Sequence, residues 1–216
     1  MTAFSVGAIL WFSLRAYRMT QLSFLIAFFL GFLLLESSFT FVLINRLVGN
    51  TGTLYHGTFW VQEMLQTAAF AFMASAYYFK NKELTNTRIA TYVIATIIIT
   101  TISVIAFLSI PPELAFDLRT ISSPYFYLAN LALLSYTVYR VNATPFSQKL
   151  IKSKSLLVPA GFMILALSQI LWIYWGFTDL NDILVLANAL YVMGLAPLTA
   201  ALLLILRRRP TFAEVH

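Results

Sequence analysis

The order of polar and apolar positions divides the chain into seven long apolar runs with short polar stretches between them. Residues 21–45, QLSFLIAFFLGFLLLESSFTFVLIN, show this most plainly, with one formal charge, Glu36, among them. As a helix rising ~1.5 Å per residue, such a run reaches ~37 Å, enough to cross a ~30 Å hydrocarbon core with some tilt. The same pattern predicts helices over about 2–17, 20–45, 58–79, 88–110, 121–141, 154–176 and 181–206. The first is short, and Arg15 can extend it by snorkelling. Turn chemistry separates the runs: Gly and Asn in NRLVGNTGTLYHG (45–57), the polar KNKELTNTR, Pro111-Pro112, and the long linker VNATPFSQKLIKSKS. The first, second, third and fifth helices are read as free of proline. Pro159, near the start of the sixth, and Pro197, inside the seventh, each remove a backbone donor and can kink their helices.

Composition turns these helices into membrane spans. Of 216 residues, 60% are hydrophobic and 10% charged, with mean hydropathy +0.83. Soluble domains carry about 25% charged residues, and a chain this size has no interior to hide so much apolar surface. The expected fold is all-α: a polytopic membrane protein with seven transmembrane helices. Residues 1–216 form one transmembrane domain, multi-pass in the cell membrane, with the lipid bilayer as its partner. The net charge of +6 then reports orientation and is no nucleic-acid signal.

Arg15, Arg18, Lys80, Lys82, Arg88, Arg140, Lys149, Lys152, Lys154, Arg207, Arg208 and Arg209 fall on one side of such a topology, and only Arg46 and Arg119 on the other. The basic side is cytoplasmic by the positive-inside rule, so the N-terminus lies outside and the C-terminus in the cytoplasm. No basic residue precedes the first apolar run, unlike a secretory signal peptide. Glu113, Asp117, Asp179 and Asp182 lie on the outer side. The sequon Asn142-Ala143-Thr144 lies on the cytoplasmic side, where glycosylation is not expected.

A faint internal repeat accompanies this topology. GFLLLESSF (31–39) matches GFMILALSQ (161–169), with Gly31 over Gly161 and Ser38 over Ser168, and Tyr17-Arg18 matches Tyr139-Arg140. The matching helices run the same way, which reads as a parallel 3+1+3 repeat joined by the fourth helix.

Strongly polar side chains inside the spans are few. The second helix carries Glu36, Ser37 and Ser38, and the third Gln62, Glu63, Gln66 and Thr67. The fifth carries Asn130, the sixth Ser168, Gln169 and Trp172, and the seventh Asn188 and Tyr191. The topology places Glu36, Glu63, Gln169 and Asn188 within roughly 10 Å of mid-bilayer, on the outer half. Two readings stand side by side. Glu36, Ser37, Glu63, Gln66, Asn130, Gln169, Asn188 and Tyr191 form a shared polar cluster, or these groups are interhelical hydrogen bonds at about 0.6 kcal/mol each. Glu36 needs a partner, a proton or water at its depth, whereas Glu63, nearer the surface, is expected in solvent. Ala68, Ala71 and Ser75 form a small-residue stripe for close packing. Phe59, Trp60, Tyr77, Tyr78, Trp172, Tyr174 and Trp175, near helix ends, read as interface anchors.

The chain has no cysteine, and its two histidines, His56 and His216, lie outside the spans. No H-E-x-x-H, G-x-S-x-G or P-loop sequence occurs, no lysine sits in mid-helix to hold retinal, and no Pro-Gln pair occurs. The Pro-Gln pair marks the sugar and amino-acid carriers with three-plus-one-plus-three helices. No catalytic, cofactor-binding or metal-ligating residue is therefore assigned.

SLRAYRMTQLSFLIAFFLGFLLLES (13–37) resembles the opening of small uncharacterised multi-spanning membrane proteins of archaeal type. There, a first helix ending in an LRAYR-like stretch precedes an FL…GF-LL helix. The resemblance covers about the first 80 residues and implies a prokaryotic, helical, membrane-embedded protein, with no functional residue to carry over.

Two functions are expected on these grounds. The first is a non-enzymatic membrane protein, either a subunit of a larger membrane complex or a small sensor working through a partner. The alternative is a carrier for a small solute or cation using the outer-half cluster around Glu36. An intramembrane enzyme would need a second catalytic group beside Glu36.

Overall fold

A computed structural model describes residues 7–12, 15, 24–47, 53–78, 86–109, 112–143, 156–178 and 180–207, and all regular structure among them is helical. The elements are α1 (7–12), α2 (Phe24–Leu47), α3 (Thr53–Tyr78), α4 (Asn86–Ser109), α5 (Pro112–Ala143), α6 (Leu157–Thr178) and α7 (Asn181–Arg207). Among the described residues, Leu157–Thr178 and Asn181–Ala201 are long and apolar enough to cross a membrane, with mean hydropathies of 1.8 and 1.9, and Ile26–Phe41 is a shorter apolar stretch. Tyr17, Arg18, Lys80, Lys82, Thr144, Lys149, Lys152, Lys154, Asp179, Arg208, Arg209 and His216 lie outside the described residues.

Two helices start earlier than the apolar pattern predicts. α3 begins at Thr53, so His56 belongs to its first turn instead of preceding it. The larger correction is α5, whose 32 residues begin at Pro112, nine positions before the expected start at 121. Proline suits the first turn of a helix, where its missing N–H is not needed, so Pro112 opens α5. Glu113 and Asp117, read as loop acids, therefore lie in the first turns of a helix. Pro124 also lies inside α5, against the expectation of a proline-free fifth helix. Its missing N–H removes one backbone bond from the helix.

Packing follows the chain except at α4. α2 packs on α3, α3 on α5, α5 on α6 and α6 on α7, while α4 lies against α3 with far less contact. α3 carries two adjacent stripes at alternating three- and four-residue spacing. The stripe with Ala69 and Met73 meets α2; the stripe with Trp60 and Glu63 meets α5. α5 lies between α3 and α6 and presents Tyr127, Asn130, Leu134, Thr137 and Val141, all buried.

One contact occurs twice. A β-carbon on Gly31 would stand 2.8 Å from Met73 Cγ and 3.0 Å from the Ala69 carbonyl oxygen, so α2 approaches α3 as closely as glycine permits. A β-carbon on Gly161 would stand 2.7 Å from Leu198 Cγ and 2.9 Å from the Gly194 carbonyl oxygen, where α6 meets α7. Phe32 and Phe162, Leu35 and Leu165, and Ser38 and Ser168 follow in the same register, all buried. Each serine returns its hydroxyl proton to its own helix, Ser38 to the Leu35 carbonyl at 2.7 Å and Ser168 to the Leu165 carbonyl at 2.6 Å. The stripe expected from Ala68, Ala71 and Ser75 does not make these contacts. Ala71 is exposed, and Ala69, one residue from Ala68, holds the close approach.

Candidate functional site

The candidate site is centred on the carboxylate of Glu63, on α3 where it meets α5. The side chain is 3% exposed, contrary to the solvent position expected for it. α5 supplies the donors that make this burial tolerable. Tyr127 donates its hydroxyl to Glu63 Oε1 at 2.6 Å, and Ser123 Oγ lies 2.9 Å from Oε1 and 2.8 Å from Oε2. Hydrogen bonds to an ionised acceptor are short and roughly twice as strong as neutral ones. Ser123 and Tyr127 are four residues apart and so share one face of α5. Nearby, Trp60 Nε1 of α3 donates to Ser122 Oγ of α5 at 3.1 Å, and the Trp60 ring meets Phe126 edge-on. Trp60 is thus an interhelical contact as well as an aromatic near a helix end.

The network continues toward α6. Tyr127 stacks on Trp172 with centroids 5.5 Å apart, and Trp172 meets Trp175 at 86°. One turn further along α5 and one turn back along α6, Asn130 Nδ2 donates to Gln169 Oε1 at 3.2 Å. Asn130 is 0% exposed, and its Oδ1 has no hydrogen-bond partner. Exchanging the oxygen and nitrogen of both amides would reverse the bond and leave an unmatched Asn130 donor in place of the acceptor, so one polar atom is orphaned either way. Such an atom costs about 1–3 kcal/mol unless a bound water or solute atom satisfies it. Three helices therefore bring a carboxylate, a phenol, two amides and an indole pair into one continuous patch.

The other expected residues separate from this patch. Gln66 is buried. Ser37 donates to the Leu33 carbonyl of its own helix at 2.9 Å. Asn188 is exposed and donates to the Leu184 carbonyl of its own helix at 2.8 Å, which removes it from the cluster. The reason is angular: Asn188 follows buried Ala187, and one residue turns a helix by about 100°. Tyr191 is buried, its ring edge-on to Phe39 of α2 at 5.6 Å and its hydroxyl without a partner. Glu36, one turn before Phe39, is half-buried, with Oε2 unpartnered. Oε1 lies 3.8 Å from where a β-carbon on Gly7 of α1 would stand. The single cluster expected around Glu36 is therefore two places: Glu63, Asn130 and Gln169 where α3, α5 and α6 meet, and Glu36 and Tyr191 on the α1 and α7 sides of α2.

Ser122, Ser123 and Tyr127 were not among the expected site residues. The spacing Ser123, Tyr127, Asn130, Leu134, Thr137, Val141 alternates four and three, which marks one continuous helix face from sequence alone. Among the described residues no three His, Cys, Asp or Glu side chains group as metal ligands. Compared with family models, curated proteins and solved structures, the chain matches none.

Proposed function

We propose that this chain is a seven-span carrier of the cell membrane for a small polar or cationic solute, with its N-terminus outside and its C-terminus in the cytoplasm. Helices α1–α3 and α5–α7 are two parallel three-helix units joined by α4. The observation that carries this reading is the recurrence of the Gly31 contact at Gly161, with the same buried phenylalanine, leucine and serine behind each glycine. The facing helices agree as well: Ala69, Phe70, Met73 and Ala76 of α3 have buried counterparts in Gly194, Leu195, Leu198 and Ala201 of α7. Carriers built from parallel repeats hold their solute between the repeats near the bilayer midplane. Glu63 lies on the third helix of the first unit and its donors on the first helix of the second. Uptake of labelled methylammonium, sodium ion and a neutral amino acid into proteoliposomes tests this. Flux of at least one, lost in Glu63→Gln, is expected. No flux above empty liposomes for any of them overturns it.

Asn188 favours the other reading, a non-enzymatic subunit or sensor that works through a partner. At membrane depth its exposed amide faces outward beside apolar Val185, where a partner helix could hydrogen-bond to it. Recovery of a stoichiometric membrane partner with wild type, lost with Asn188→Leu, would favour that reading over the carrier.

A further inference from the structure

We infer that Glu36 is a proton-binding site: a carboxylic acid held against α1 that exchanges its proton from within the bilayer. Glu36 stands at the middle of the 24-residue α2, the depth at which an ionised side chain is most costly. Its Oε2 is buried without a hydrogen-bond partner. Its Oε1 packs toward Gly7, where α1 has no side chain, and Ile9 of α1 is fully buried close by.

The groups around Glu36 offer it little. On α2 itself, the hydroxyls of Ser37, Ser38 and Thr40 are spent on the carbonyls of Leu33, Leu35 and Glu36. On α1, residues 7–12 are Gly, Ala, Ile, Leu, Trp and Phe, and Arg15, two turns on, is exposed. α3 gives Glu63 to α5. α6 meets α2 through Phe162 and Phe28. α7 brings Tyr191 to Phe39, one turn away. A metal cation needs several oxygen ligands at once, and among the described residues no acidic or histidine group joins Glu36 to supply them. A proton needs only the carboxyl. The contrast with Glu63 is direct, because Ser123 and Tyr127 supply hydrogen bonds that a carboxylate accepts.

This inference rests on the membrane placement of α2 in the proposed function and not on transport. The test is labelling of the full-length protein in liposomes with dicyclohexylcarbodiimide, an apolar reagent that adds to a protonated carboxyl within a bilayer. The acid O–H adds across one C=N bond of the reagent: oxygen bonds to carbon, and the proton passes to nitrogen. Mass spectrometry of peptides locates the adduct. Label on Glu36 is expected, and it should weaken as pH rises from ~6 to ~9, because only the protonated carboxyl adds to the reagent. It should be absent in Glu36→Gln, retained in Glu36→Asp and unchanged in Glu63→Gln. Absence of label on Glu36, protection by sodium ion, or equal labelling by a water-soluble carbodiimide would each overturn the proposal. Label on Glu36 without any solute flux keeps the proton site and removes the carrier. Flux without label does the reverse.

Discussion

Tyr127 of α5 gives its hydroxyl proton to Glu63 of α3 across 2.6 Å, and the same ring stacks on Trp172 of α6. One side chain thus ties three helices, with its polar end on one neighbour and its apolar face on the other. Tyr127→Phe keeps the ring and removes the donor. Loss of a hydrogen bond to a buried carboxylate should destabilise the protein by about 1.5–3 kcal/mol. Thermal unfolding in detergent measures this. A double-mutant cycle with Glu63→Gln should show a coupling of about 1 kcal/mol or more, because the two residues share one contact.

The paired glycines predict paired effects. Gly31→Ala and Gly161→Ala each push a β-carbon against a backbone carbonyl of the next helix, and each should cost about 1–3 kcal/mol. Gly176→Ala meets nothing within 4 Å and should be neutral or slightly stabilising. Unfolding midpoints of the three variants separate a close-packing role from a general intolerance of alanine.

Asn130→Leu leaves Gln169 Oε1 without its α5 donor, whereas the double variant Asn130→Leu, Gln169→Leu removes both sides of the bond. The single change should cost about 1–3 kcal/mol, and the second should recover part of it. Unfolding by denaturant in mixed micelles, fitted for all four proteins of the cycle, reads the sign.

Asn188→Ala should change the stability of the isolated protein by no more than about 0.5 kcal/mol, since the amide is exposed and bonded to its own helix. A larger loss, measured by thermal unfolding, would show that this amide holds a contact beyond α7.

The helices were legible because the apolar runs are long, and a twenty-residue apolar stretch survives errors at its ends. The start of α5 was not, because Pro111-Pro112 followed by Glu113 and Asp117 has the composition of a loop as well as of a helix N-terminus. The polar cluster was half legible for a different reason. Counting residues along a span gives depth, so Glu36, Glu63, Asn130, Gln169 and Asn188 were placed at similar levels. Depth says nothing of the direction a side chain takes around its helix, and that direction separated Glu36 and Asn188 from the others. The Gly31–Gly161 match was readable because a helix crossing this tight accepts few residue types.

The length of α5 has a mechanical consequence. Thirty-two residues make a rod of ~48 Å, about half as long again as the hydrocarbon layer. Tyr127 lies at its midpoint, clasped on both flanks. Beyond Tyr127 the rod stays held, with Asn130, Leu134, Thr137 and Val141 buried, whereas Leu114, Leu118 and Ile121 before it are exposed, so its freedom to bend lies at the end that Pro112 opens. Movement imposed on the turns around Glu113 would therefore be taken up in that exposed end before it reaches Arg140.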